Sequence, residues 1–277
     1  MGKRDAYRRD LEILLTQSLE DGASEEMLHF LTAHSNLPGR RANLELAHAF
    51  ADLVEENAHR RAERLWDFCS SMTELSAAQA PTNEPDEFLP FCGAIGLGAI
   101  GAQDDSLFVP ALQSLGKLAH DARWRMREAV RFGLQRLLIS RSEDVLLVLE
   151  EWVAGGSNLQ MRAAATAVAR PDLLQRREFA FSALRLHSQI VAQALEMTDR
   201  RAEDFRTLRK ALGYTLSVVT QAIPNEGFRL LEQLAVSGDR DMIWIARQNL
   251  QKKRLSEHFG DQVEAIRSVM SGEGAVR

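Results

Sequence analysis

Apolar residues recur at spacings of three and four along most of the chain, which is the pattern of helices that bury one face. In Arg8–Glu20, for example, Leu11, Leu14, Leu15 and Leu19 lie on one side of a helix. Alternating runs rich in Val, Ile and Thr are scarce, and the helix-favouring residues Leu, Ala, Arg and Glu dominate the composition. The sequence therefore predicts an all-α fold.

Turn-forming residues divide this pattern into helices joined by short links. Ser24 is predicted to cap the second helix. The predicted helices are Arg8–Glu20, one starting at Ser24, Arg41–Glu56, Arg60–Leu75, and those near 86–102, 105–118, 122–139, 143–154, 158–169, 176–197, 204–221, 225–236 and 239–253. Because short links join successive helices, we expect neighbouring helices to run antiparallel.

One stretch, with Pro81, Asn83 and Pro85, interrupts the helical pattern. We place the main domain boundary there. The predicted parts are an N-terminal helical segment (1–80), a repeat core (84–256), and a C-terminal helix with a disordered tail (257–277).

A weak internal repeat runs through the core. Arg127, Arg162, Arg209 and Arg247 each start a similar helical pattern, at spacings of 35, 47 and 38 residues. Periods near 40 with two helices in each unit are typical of HEAT and armadillo repeats. The predicted fold is therefore a HEAT-like repeat solenoid of antiparallel helix pairs, an α-α superhelix.

The segment 96–101 matches the Gly-x-Gly-x-x-Gly pattern of dinucleotide-binding sites. Such a site needs a strand before the motif and a parallel sheet around it, and the sequence predicts neither. The better interpretation is a helix with Ala94, Gly98 and Ala102 on one ridge, which lets another helix approach closely.

Several classes of site find no support in the sequence. Cys69 and Cys92 lie among apolar residues and are predicted to be buried thiols. The seven histidines show no ligand-like spacing, so neither a metal site nor a cofactor is predicted. No secretory signal is evident, and the apolar stretch Phe88–Ala102 is too short to span a bilayer. We expect a cytoplasmic protein without a membrane partner.

The net charge of −5 hides an uneven distribution. Residues 117–256 hold 23 Lys and Arg against 16 Asp and Glu, whereas the rest of the chain holds 11 against 23. The basic part indicates either an anionic partner or a set of solvated arginine-rich helix faces.

Two segments resemble the HEAT-like-repeat DNA glycosylases of alkylation repair, which remove alkylated purines. The first reads Asp-Ala-Arg-Trp-Arg-Met-Arg-Glu-Ala-Val at 121–130 and is followed by Trp152, Arg162 and Arg170-Pro171. The second, in 204–216, includes Lys-Ala-Leu-Gly-Tyr-Thr-Leu and is similar to that family's Lys-Ala-Ile-Gly-Trp-x-Leu helix.

The resemblance implies a concave basic surface and a site built from Trp124, Glu128, Arg162 and Tyr214 as candidate catalytic residues. Glu128 stands where the family has Asp, and Tyr214 stands where it has Trp. A carboxylate near the sugar would stabilise the developing oxocarbenium ion, an aromatic face would pack on the deoxyribose, and an arginine would hold a phosphate.

The corresponding prediction is binding of duplex DNA through its backbone, with glycosylase activity on alkylated purines if the chain is an enzyme. The candidate DNA-binding residues are Arg123, Arg125, Arg162, Arg170, Arg209, Lys210, Lys252, Lys253 and Arg254. The alternative function is a non-enzymatic protein–protein interaction scaffold that holds a partner protein in its concave groove, which the acidic remainder of the chain favours.

Each candidate site residue also has a purely structural interpretation. Trp124 at helical spacing fits a core position. Glu128 fits an ion pair with Arg125 or Arg131. Arg162 fits a tether between neighbouring repeats.

Overall fold

The computed structural model describes residues 3–21 and 24–271, so the predicted disordered tail at 272–277 lies outside the described residues. The chain divides into two compact units, which we call unit 1 (Met1–Val145) and unit 2 (Leu146–Arg277). Within the described ranges every regular element is helical and no strand occurs, which confirms the all-α prediction.

Unit 1 is built from six α-helices and one short 3-10 turn. They are α1 (Lys3–Asp21), α2 (Glu25–Ala33), α3 (Leu44–Thr73), the 3-10 turn Pro85–Glu87, α4 (Phe88–Gln103), α5 (Asp105–Leu118) and α6 (Trp124–Ser140). Helix α7 (Ser142–Ala154) begins at the end of unit 1 and continues into unit 2.

Helix α4 is the centre of unit 1, and almost all of its residues are buried between α3, α5 and α6. It contains the glycine motif of the sequence. A Cβ atom on Gly98 would lie 2.4 Å from the carbonyl oxygen of Gly133 in α6, so the two backbones touch. The expectation of a small-residue ridge that admits another helix is confirmed.

The helices predicted at 41–56 and 60–75 correspond to the two parts of α3, which meet at a kink at Arg61 (φ −138°, ψ 30°). One local prediction in unit 1 was wrong. Ser24 stands at the start of α2, but its backbone is already helical and its side chain makes no capping hydrogen bond. Cys69 and Cys92 are fully buried free thiols, as predicted.

Unit 2 continues with α8 (Asn158–Val168), α9 (Pro171–Leu174), α10 (Arg177–Glu196), α11 (Glu203–Ala222), α12 (Pro224–Val236), α13 (Arg240–Leu250), α14 (Lys253–Ser256) and α15 (Gly260–Ser271). The limits of the longer helices lie within three residues of the predicted ones, and α15 is the predicted C-terminal helix.

Helix α11 is the centre of unit 2. It packs on α8 and α13, and on its direct neighbours along the chain, α10 and α12. Such two-layer stacking is the arrangement of a helical-repeat fold, so the predicted fold class is confirmed. In unit 1, the packing of α3 on α4 crosses the predicted limit near residues 80–84, and the predicted domain limits stay a prediction.

Two polar side chains that are buried in unit 2, His187 and Asn249, make hydrogen bonds to neighbouring helices. His187 in α10 bonds the carbonyl of Ala183 at 2.8 Å and the hydroxyl of Thr215 at 2.9 Å. Asn249 in α13 accepts from the amide of Ser217 at 2.7 Å and donates to the carbonyl of Leu212 at 2.8 Å. These bonds tie α11 to the helices on both sides of it.

Candidate functional site

Two of the predicted DNA-binding arginines are internal residues of unit 1. Arg123 and Arg125 are each 3% exposed. Arg123 donates to the carboxylate of Asp121 at 2.7 Å and to the carbonyl of Ala80 at 3.1 Å. Arg125 is paired at 2.9 Å with Glu87, which is fully buried. Both guanidinium groups are buried and bonded to groups inside unit 1, so neither can reach a DNA phosphate.

Two of the four candidate catalytic residues lie one turn apart in α6. Trp124 is 45% exposed, so it is not a core residue, and the guanidinium of Arg125 lies 4.4 Å from the centre of its ring. Glu128 is paired with Arg131 at 3.1 Å, one of the two ion pairs that the sequence allowed. The carboxylate that the resemblance assigns to catalysis is therefore shared with a neighbouring cation.

The other two candidate catalytic residues belong to unit 2. Arg162 is 8% exposed in α8, and Tyr214 is exposed on α11. The four candidate catalytic residues are therefore divided between the two units, two in each.

The remaining predicted DNA-binding residues lie in unit 2 and differ in their pairing. Arg170 is paired with Asp172 at 3.2 Å, and Lys253 with Glu257 at 3.7 Å. The side chains of Lys210 and Arg254 are exposed, and Lys252 is half-buried before α14. Arg209 lines a cavity in unit 2.

This cavity measures about 600 Å³, and we call it the arginine pocket. Residues from the 197–202 link, α11 and α13 line it. They are Arg200, Arg201, Arg209, Arg240, Asp241, Ile243, Trp244 and Arg247. Five of these eight side chains are arginines and one is a carboxylate, so the pocket concentrates positive charge.

Arg200 connects the end of α10 to the start of α13 through its side chain. Its guanidinium donates to the carbonyl of Leu195 at 2.7 Å and to that of Met197 at 3.1 Å, at the end of α10. It also pairs with Asp239, and lies 3.6 Å from Asp241, at the start of α13. One side chain thus satisfies helix-end carbonyls and holds two carboxylates in place.

Asp239 caps α13 in return. Its carboxylate accepts from the amides of Asp241 at 2.9 Å and Met242 at 3.1 Å. Burial raises the pKa of Asp239, but the hydrogen bonds from Arg200 and from these amides outweigh it and keep the pKa below the usual value. The carboxylate is therefore ionised at neutral pH.

Trp244 forms the aromatic wall of the pocket. The guanidinium of Arg209, which pairs with Asp241, lies 4.4 Å from the centre of the Trp244 ring. The ring also rests against α11 at Gly213, where an added Cβ would lie 3.0 Å from the ring carbon Cζ3. Arg209 and Trp244 thereby brace each other.

The other three arginines of the pocket are open. Arg201, Arg240 and Arg247 are exposed, and across the part of the chain that the structure describes their guanidinium groups have no carboxylate within ion-pair distance. Guanidinium groups present planar pairs of donors that match carboxylate and phosphate oxygens. The pocket is therefore suited to binding an anion.

The sequence prediction missed most of this pocket. It included Arg209 among the DNA-binding residues and treated Arg247 as part of the repeat, but it passed over Arg200, Arg201 and Arg240. The available signal was the density of arginines near the starts of α11 and α13. In the described part of the chain, no three His, Cys, Asp or Glu side chains are grouped to hold a metal ion.

No protein family matches the sequence, and no curated protein matches it. Among solved structures, a designed armadillo repeat protein is 14% identical, with 80% of this chain and 98% of that chain covered and a TM-score of 0.29. The crystal structure of an engineered protein from a structural genomics consortium is 15% identical, with 86% and 97% covered and a TM-score of 0.31. Likenesses at this level say nothing about what the chain binds, and none of these comparisons supports a relation to the alkylpurine glycosylases. None of the described helices is long and apolar enough to cross a membrane.

Proposed function

We propose that the chain is a non-enzymatic binding protein whose arginine pocket receives an acidic segment of a partner protein. The observation that carries this proposal is that the pocket contains two kinds of arginine, those paired with carboxylates and those that are exposed, without a carboxylate partner in the part of the chain that the structure describes. Arg200 and Arg209 are held by Asp239 and Asp241 and shape the walls. The exposed arginines keep their donors for a ligand.

The distribution of charge favours a protein segment over a nucleic acid. Unit 2 holds 18 Lys and Arg against 16 Asp and Glu, which is close to balance. Backbone binding to duplex DNA needs cations spread along a surface that meets many phosphates. In the described part of unit 2, three arginines without a carboxylate partner, Arg201, Arg240 and Arg247, line one cavity instead, which fits one or two anionic side chains.

Duplex DNA binding is the second candidate. It is favoured by the exposed side chains of Lys210 and Arg254 and by the basic run at 252–254, all of which lie outside the arginine pocket. The pairing of Glu128 with Arg131 speaks against glycosylase chemistry at that carboxylate.

Fluorescence anisotropy tests the proposal. A labelled peptide rich in glutamate, its glutamine counterpart and a short labelled DNA duplex are titrated with the full chain at low and moderate salt. We expect salt-sensitive binding of the glutamate peptide and none of the glutamine peptide. Each charge-assisted hydrogen bond contributes roughly 1.5–3 kcal/mol, so Arg240→Glu with Arg247→Glu is expected to weaken binding about tenfold or more.

The matched control is Arg229→Glu, a charge reversal at an exposed arginine on α12 outside the pocket. It is expected to leave binding of the glutamate peptide nearly unchanged. Equal loss in the control and in the pocket variant contradicts a defined site. Preference for the duplex, lost on charge reversal at Lys252 and Lys253, supports the second candidate instead.

A further inference from the structure

A second, smaller cavity adjoins the arginine pocket. It measures about 290 Å³ and lies between α13 and α15, so we call it the α15 pocket. Its lining residues are Arg247, Leu250, Gln251, Arg267, Met270 and Ser271. Arg247 lines both cavities, which makes them neighbours along α13.

The floor of the α15 pocket is apolar. Leu250 is buried at the end of α13, and Met270 is half-buried on α15. The guanidinium of Arg267 donates to the carbonyl of Leu250 at 2.9 Å, which holds α15 against the end of α13. Methionine is flexible and polarisable, so this floor adapts to the shape of an apolar side chain.

The two cavities have a fixed separation along α13. Trp244, Arg247 and Gln251 follow one another at spacings of three and four residues, which places them on one face of the helix. Trp244 lines the first cavity, and Gln251, seven residues later, lines the second. At 1.5 Å per residue this is an axial distance of roughly 10 Å.

A peptide in the polyproline II conformation rises about 3.1 Å per residue and has three residues per turn, so side chains three residues apart lie on the same side, roughly 9 Å apart. In such a segment two side chains three residues apart therefore reach the two cavities together. Charge complementarity favours an anionic side chain in the arginine pocket, since its exposed arginines have no carboxylate partner among the described residues. The apolar floor of the α15 pocket favours an apolar side chain there.

We propose that the arginine pocket and the α15 pocket form one groove for an extended protein segment with an anionic and an apolar side chain three residues apart. This inference rests on the proposed function and adds the partner's sequence pattern to it. The anion is a carboxylate or a phosphate monoester, since guanidinium groups bind both. Arg247, at the junction of the cavities, contacts the segment between its two anchors.

Labelled peptides with a neutral Gly/Ser background test the pattern. One carries phosphoserine and leucine three residues apart, a second has glycine in place of leucine, and a third has the leucine one residue away. Both chain directions and a glutamate version of each are included. We expect the three-residue peptide to bind at least fivefold more tightly than the other two, and the glutamate series shows whether a carboxylate suffices.

A pair of variants assigns the apolar anchor to its cavity. Met270→Asn is expected to remove the preference for leucine while binding of the glycine peptide stays unchanged, which also reports that the variant is folded. Met270→Leu is the conservative control and is expected to keep the preference. Equal binding of the leucine and glycine peptides by the parent chain overturns this inference but leaves the proposed function standing, whereas failure of every anionic peptide to bind overturns both.

Discussion

The two units use arginine in opposite ways. In unit 1, Arg125 is enclosed with Glu87, and its Nη2 group donates to the carbonyl of Gly39 at 2.6 Å and to the side chain of Asn83 at 3.1 Å. In unit 2, Arg240 and Arg247 stand open at the edge of a cavity. The buried arginines of unit 1 are structural ties, whereas the exposed Arg240 and Arg247 are the ones that we propose as binding groups.

The difference lies in where the carboxylates are. Glu87 precedes Arg125 by 38 residues and Asp241 follows Arg209 by 32, so both pairs depend on the fold. In unit 1, each of the two buried arginines is paired with a carboxylate. In unit 2, the two carboxylates at the start of α13 are paired with Arg200 and Arg209, and the exposed arginines of the pocket have none within residues 3–21 and 24–271. A count of charges along the sequence cannot distinguish these two outcomes.

The largest expected effect contrasts one arginine from each unit. Arg125→Gln leaves the carboxylate of Glu87 buried without its charge partner, which costs about 3–5 kcal/mol of unfolding free energy. Arg247→Gln changes an exposed residue and is expected to cost less than about 0.5 kcal/mol. Urea unfolding followed by circular dichroism measures both, and similar losses would remove the contrast between the units.

Acidification is expected to weaken both units through His187 and His48, whose pKa values are lowered in the fold. Burial lowers the pKa of His187 to about 4. Burial and the positive charge of Arg136 lower the pKa of His48 to about 4 as well. Both values lie below the unfolded value of 6.5, so the stability that the neutral forms provide is complete above pH 6.5 and is lost as the pH falls toward 4.

For His187 this loss amounts to roughly 3 kcal/mol, at 1.36 kcal/mol per pKa unit. The His187→Gln variant is expected to flatten the dependence of the unfolding free energy on pH between 6.5 and 4, as measured by urea unfolding at a series of pH values. Replacement of the exposed His29 by Gln is the control. An unchanged slope in His187→Gln would show that this histidine does not titrate differently on unfolding.

A substitution at the contact between Gly98 and Gly133 in unit 1 is expected to have a smaller effect on stability. Gly98→Ala places a Cβ 2.4 Å from the backbone of Gly133, so α4 and α6 must separate, at an expected cost of about 1–3 kcal/mol. Gly155→Ala is the control, because its added Cβ would meet nothing closer than 3.5 Å. Thermal unfolding compares the two, and a neutral Gly98→Ala would mean that the helices are not so closely packed.

The smallest expected effect on stability concerns the braced pair of the arginine pocket. Arg209→Gln removes an ion pair that is partly exposed, for which about 0.2–1 kcal/mol is expected. Its effect on binding should exceed its effect on stability, since Trp244 loses the guanidinium that braces it. Anisotropy titration alongside urea unfolding separates the two, and a variant with full binding would show that the brace is dispensable.

The sequence predicted the helices well because helical spacing and turn residues are local signals. It also predicted two helical runs at 41–56 and 60–75, and α3 has a kink close to their boundary, at Arg61. It placed Arg123 and Arg125 on a DNA surface because charge is visible in a sequence and burial beside a distant Glu87 is not. The arginine pocket was hidden for the same reason, as its residues come from separate helices.

We propose that the exposed arginines of the arginine pocket in unit 2 bind anions and that the enclosed arginines of unit 1 do not. Arginine side-chain Nε–H signals in a ¹⁵N-labelled sample, followed during titration with a phosphoserine peptide, test it directly. We expect saturable shifts for Arg240 and Arg247 and none for Arg123 and Arg125. Shifts spread evenly over both units, or absent from Arg240 and Arg247, would contradict it.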